Sequence, residues 1–177
     1  MKEAWKTELQ AMEAKRPSAW SRFVRPRVVV LPSFVTGQRL GAWTLCHLIF
    51  VTEAQAACPP RVRRYVLGHE YGHIVCGHAA LQWAWLASSL LSLLGMLAPL
   101  AILVSLGIQS AVLYSLASQA QGARRELSAD ATAADLCGAA VALEGARWMA
   151  DAMGDRGKPE RQARLAELEQ RVREQTA

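Results

Sequence analysis

From Ala79 to Ala123 the chain carries no Asp, Glu, Lys or Arg, although the stretches on either side are densely charged. In water, this run of about 45 residues would have to be covered on all sides by roughly 130 others, many of them charged. The modest mean hydropathy of +0.10 averages over that contrast. Leu81 to Ala98 and Pro99 to Ser118 each supply about 18 to 20 residues, enough to cross ~30 Å of hydrocarbon at ~1.5 Å per helical residue. Gly95 and Pro99 provide a turn between them, and Trp83, Trp85 and Tyr114 stand where an aromatic belt meets the headgroups. Ser88, Ser89, Ser92, Ser105, Gly107 and Ser110 are small enough to let two such helices pack closely. A membrane hairpin at 81–118 is therefore expected; a tightly re-entrant hairpin and a buried hairpin of a soluble protein are the rival readings.

The net charge of +5 is carried in short groups, Arg61, Arg63 and Arg64 before the apolar block and Arg124 and Arg125 after it. Positive charge so placed marks the cytoplasmic side of a membrane segment. No aromatic-interleaved basic surface or nucleic-acid reader motif accompanies it, so no nucleic-acid partner is expected. Cys46, Cys58, Cys76 and Cys137 have neither CxxC spacing nor the density of a disulfide framework, which suits small apolar residues in a reducing compartment. The opening Met-Lys-Glu-Ala-Trp-Lys does not read as a secretory signal.

Residues 3 to 16 alternate in charge and end at Pro17, which predicts a short, mostly solvated helix; insertion of Trp5 and Met12 into a bilayer surface is the alternative. Arg27 to Leu31 and Cys46 to Thr52 are strand-forming runs separated by turn positions at Gly37 and Gly41, so a small sheet of two or more strands is expected, with His47 in a structural role. Pro59 and Pro60 start a helix that should run to His78. Gly68, Gly72 and Gly77 each lower its propensity by about 1 kcal/mol, which implies that something packs or approaches closely there. Arg124 to Cys137 and Ala139 to Met153 read as alanine-rich helices divided near Gly138. Lys158 to Gln175 has only a narrow stripe of Leu165, Leu168 and Val172, the pattern of a surface or partner-binding helix.

The predicted helix after Pro60 contains His69-Glu70-Tyr71-Gly72-His73. Residues four apart share a helix face, so both imidazoles can reach one metal ion with Glu70 beside them, the HExxH arrangement of zinc peptidases. Hydrolytic zinc takes three protein ligands and leaves a fourth position for water. Downstream, Glu126-Leu127-Ser128-Ala129-Asp130 places two carboxylates on one helix face among small alanines. Glu126 is read as the third ligand and Asp130 as the group that accepts the outward ring proton of a zinc histidine. The ligands must share one side of a bilayer, so the apolar block between them must cross an even number of times or not at all. Glu70 is the expected general base. His78 lies five residues past His73, one short of the metzincin step, and is not read as a ligand. His78, Tyr65 and Tyr71 remain candidates for oxyanion or substrate contacts.

Gly68 to His78 together with Arg125 to Ala134 resemble the HtpX-type membrane metallopeptidases, the gluzincin family that also includes the CAAX-prenyl endopeptidases. The resemblance covers roughly residues 27 to 140 and extends to the order of parts. Typical members carry further amino-terminal membrane helices and none is evident here, so a minimal version is expected. The implied fold is mainly α with a small β-sheet, a zincin-like catalytic core with an inserted two-helix transmembrane hairpin. Residues 1–26 would form the charged helix and linker, 27–140 the metallopeptidase core, and 141–177 the C-terminal helices. The resemblance further implies an endopeptidase holding one Zn2+ per chain and acting on membrane-associated or misfolded proteins. Its substrate would be added as a strand along Leu48, Ile49, Phe50 and Val51. The expected site is the inner (cytoplasmic) membrane, multi-pass, with the active site facing the cytoplasm and the lipid bilayer and a protein or peptide substrate as partners. The sequence leaves the oligomeric state open. The alternatives are a catalytically idle zinc-binding membrane adaptor and a soluble zinc peptidase whose apolar hairpin binds a partner.

Overall fold

A computed structural model of the chain describes residues 2–19, 24–78 and 100–176, with most side chains between 100 and 121 left undescribed. The elements in chain order are α1 (Lys2–Lys15), β1 (Arg27–Leu31), α2 (Ser33–Thr36), β2 (Ala42–Leu45), β3 (Leu48–Thr52), α3 (Glu53–Ala56) and α4 (Pro60–Val75). They are followed by α5 (Leu100–Cys137), α6 (Ala139–Ala152) and α7 (Pro159–Thr176). Among the described residues the fold is mainly helical with one three-stranded sheet, as expected.

The sheet order is β1-β3-β2, with β1 parallel and β2 antiparallel to β3. Partners directly opposite share a face, so Val28 and Val30 lie with Ile49 and Val51, and with Ala42 and Thr44, on the side that meets the helices. Ile49 and Val51 are fully buried there. The opposite face carries Trp43 stacked on Phe50 at 5.6 Å, with Trp43 and Leu45 exposed. Two readings are corrected. The second predicted strand begins at Leu48, because Cys46 (φ 59) and His47 form the two-residue turn that joins β2 to β3. The strand Leu48 to Val51 is the centre of the sheet rather than an edge for substrate; the edge strands are β1 and β2, and β2 is the one that lines a cleft.

Helix α4 begins where proline directs it, with Pro60 in its first turn, but it ends at Val75 rather than His78. Gly77 takes φ 77, a left-handed conformation suited to glycine, and so turns the chain out of the helix. The expected close approach lies at Gly68 and Gly72. A Cβ on Gly68 would stand 3.2 Å from Ala133 Cα, and one on Gly72 would stand 2.9 Å from both Cα and O of Ala129. The backbones of α4 and α5 thus meet over matched i, i+4 pairs of small residues. Gly72→Ala should destabilise the fold by about 1–3 kcal/mol despite its better helix propensity, since the obstructing atoms are backbone. Urea denaturation of variant and parent measures this.

The hydrophobic core wraps α4. Trp5, Leu9 and Met12 of α1 are buried in it, which corrects the solvated reading: they recur at i, i+4 and i+7 and form an apolar stripe beneath the charges. Helix α7 is likewise no free surface helix, because Leu165 and Leu168 are buried in the same core and Arg147 of α6 pairs with Glu169 at 2.7 Å. The expected first membrane arm, 81–98, lies outside the described residues. The second does not stop at 118, since α5 is continuous through the Glu126 motif to Cys137 and breaks only at Gly138 (φ 92). Among the described residues, no helix is long and apolar enough to cross a membrane. All four cysteines are free thiols, with Cys46 and Cys58 buried.

Candidate metal centre and catalytic cleft

The contact between α4 and α5 brings the two distant motifs together. His69 Nε2 lies 3.3 Å from Glu126 Oε2, and His73 Nε2 lies 3.5 Å from Glu126 Oε1. One ligand atom from each of the three residues falls within 4.8 Å of the others. Donors about 2.0–2.2 Å from a tetrahedral zinc stand about 3.3–3.5 Å apart, so this two-nitrogen, one-oxygen set fits such an ion. The two imidazoles meet edge to face, 4.9 Å between centroids.

Asp130, one turn after Glu126, is completely buried, and its Oδ1 lies 2.8 Å from His69 Nδ1. Tyr65 O–H donates to the same oxygen at 2.9 Å. Arg164 of α7 completes the group. Its Nε donates to Asp130 Oδ2 at 2.6 Å, its Nη2 to Oδ1 at 2.9 Å, and its Nη1 to Glu126 Oε2 at 2.8 Å. One guanidinium therefore clamps both carboxylates of the downstream motif.

Burial alone would raise the Asp130 pKa, but the His69 charge and hydrogen bond, with those of Arg164, outweigh it and hold the carboxyl well below its usual range. Glu126 is similar: burial is outweighed by its hydrogen bond and charge contact with His69 and by Arg164, bringing it down to about 2. Burial would lower His69, yet Asp130 and Glu126 push it up to about 10. A metal bound at His69 Nε2 at neutral pH would have to displace a proton. Burial and the His69 charge bring His73 down to about 4, so its ring is neutral at pH 7.

Glu70 is 7% exposed, and burial raises its pKa, with the Thr44 hydrogen bond working the other way. The Thr44 hydroxyl stands 2.8 Å from Glu70 Oε2 and 2.9 Å from the Glu70 carbonyl oxygen, tying β2 to the pentad. These groups open into a cleft of about 460 Å³, whose walls include Trp43 of β2, Met149 and Met153 from α6 and its end, and Arg161 of α7. The cleft therefore combines a floor of two histidines and a carboxylate that could hold a metal, a wall from the sheet-edge strand β2, and the apolar side chains of Met149 and Met153.

The remaining expected contacts are distributed unevenly. Tyr65 lines the cleft, but its hydroxyl is committed to Asp130. Tyr71 is fully buried and donates to Arg16 O at 2.8 Å, on the α1 side of the helix and outside the cleft lining. His78 folds back until its Nδ1 lies 2.9 Å from His73 Nδ1. Sequence reasoning missed Thr44 and Arg164; the one signal for Arg164 was its position next to Leu165 in the apolar stripe of α7.

The sequence matches Peptidase family M48 over residues 34–172, well over half of the chain. The chain belongs to that family. Comparison with curated proteins and with solved structures gave no match. Membership makes the chain a metallopeptidase, a hydrolase whose substrates are proteins or peptides. The match runs past the two motifs to take in α6 and most of α7, and so includes Arg164.

Proposed function

We propose that this M48 protein is a zinc endopeptidase of the inner (cytoplasmic) membrane, with His69, His73 and Glu126 holding one Zn2+ and Glu70 as general base. The observation that carries the reading is the convergence of these three side chains at ligand spacing beside a buried glutamate.

When bound, the ion polarises the scissile carbonyl and lowers the pKa of water toward ~7. Glu70 takes a proton from the water as its oxygen attacks the carbonyl carbon, then gives that proton to the amine nitrogen as the C–N bond breaks. Thr44 holds the Glu70 carboxylate against β2 during both transfers. Asp130, itself clamped by Arg164 and Tyr65, fixes the His69 ring so that Nε2 faces the metal position. Strand β2 lies at one edge of the sheet and lines the cleft, which supports adding an extended substrate beside it.

The membrane assignment rests on the charge-free run and its flanking arginines, and on a second cationic stretch. Residues 14 to 52 hold six Lys or Arg and no Asp or Glu. Exposed Phe34, Val35, Trp43 and Leu45 lie in the same stretch. Casein hydrolysis by the detergent-purified chain should cease with a chelator and return on adding zinc. Release of the protein from membranes by carbonate without detergent would contradict integration and favour the soluble peptidase.

A further inference from the structure

The two histidines of the pentad are oriented by different chemistry. His69 Nδ1 faces the Asp130 carboxylate, whereas His73 Nδ1 faces another imidazole nitrogen, His78 Nδ1, at 2.9 Å, with the rings 5.1 Å apart and tilted by 51°. The left-handed turn at Gly77 folds His78 back onto the helix it has just left. On its other side His78 Nε2 lies 3.5 Å from Ser128 Oγ, and Ser128 Oγ donates to Arg125 O at 2.8 Å.

Two nitrogens at that separation share a single proton, and the proposed metal site decides where it lies. This step rests on the reading above. If His73 gives its Nε2 lone pair to the ion, the neutral ring carries its proton on Nδ1. His78 Nδ1 must then be the acceptor, so the His78 proton is on Nε2 and points at Ser128 Oγ. The serine can accept there because its own hydrogen is spent on the Arg125 carbonyl. Every donor in the series finds an acceptor, and the direction cannot be reversed while His73 is a ligand.

We infer that His78, backed by Ser128, is the positioning residue that locks the ring orientation and tautomer of His73. The helical turn that carries Glu126 and Asp130 also carries Ser128, so α5 supplies one ligand and takes part in orienting both of the others. Because the partner of His73 is neutral where that of His69 is a carboxylate, His73 is the more weakly held of the two.

The test uses the full-length chain in detergent, with zinc affinity measured by chelator competition and the His73 ring nitrogens observed by 15N NMR of the zinc-loaded protein. His78→Ala should weaken zinc binding about 10- to 100-fold. His78→Asn, whose side-chain oxygen can accept from His73 Nδ1, should restore affinity to within a few fold of the parent, and Ser128→Ala should show a loss smaller than that of His78→Ala. In the parent, the His73 signals should report a proton on Nδ1. Equal zinc affinity in His78→Ala and parent overturns the inference, as does an asparagine variant no better than alanine. A parent that binds no zinc, or binds it unchanged after His73→Ala, overturns the metal reading itself and the inference with it.

Discussion

Glu70→Gln should retain a full complement of zinc and lose about 10²- to 10⁴-fold in kcat. The substitution preserves shape, and the glutamine amide can still meet the Thr44 hydroxyl that now stands 2.8 Å from Glu70 Oε2. Glu70 is outside the trio whose ligand atoms cluster, so the metal should be unaffected. What disappears is the proton acceptor. An amide cannot take the proton from the attacking water or return it to the leaving amine, and the loss should fall on kcat rather than KM. Steady-state kinetics on a quenched peptide, alongside metal analysis, reads both quantities. Turnover equal to the parent would exclude the assigned mechanism, and a variant without zinc would show that Glu70 serves the metal instead.

The second large effect is expected at Arg164→Ala, far along the chain from either motif. Asp130 is fully buried and Arg164 nearly so, and breaking such a pair by removing one partner costs about 3–5 kcal/mol. The melting temperature should fall by about 10 °C. Zinc affinity should fall as well, because Glu126 and Asp130 lose the clamp that aims them. The pH dependence has a definite sign. The folded-state pKa of Asp130 lies below its ordinary value, so the stability it contributes is present above ~4 and fades as acid protonates it. The gap between parent and variant should therefore be widest near neutrality and close at low pH. Denaturation curves at pH 7 and in acid would show this, and an unchanged melting temperature would mean that α7 does not support the site.

The parts of the centre that were legible in the sequence are those set by local spacing. His69, Glu70 and His73 share a face because a helix repeats that way, and Glu126 and Asp130 do so for the same reason. The glycines of α4 announced a close neighbour, and the small residues of α5 could supply it. What the sequence hid depends on tertiary placement. Arg164 is one of several arginines on a charged helix, and only the docking of Leu165 and Leu168 singles it out. Trp5, Leu9 and Met12 were spaced for burial, but dense charge on the rest of α1 masked the stripe. Strand order is not written in strand propensity, so Leu48 to Val51 could not be told from an edge. Strand β2 is only four residues long and its turn, Cys46-His47, lacks the Gly or Asn that usually signals a hairpin.

The zinc content of the purified protein reads whether Glu126 completes the metal site begun by His69 and His73. The purified parent should carry about one zinc per chain, and Glu126→Ala should lose both the metal and peptide hydrolysis while its helical circular dichroism remains. Stoichiometric zinc held with parental affinity by Glu126→Ala would contradict the account.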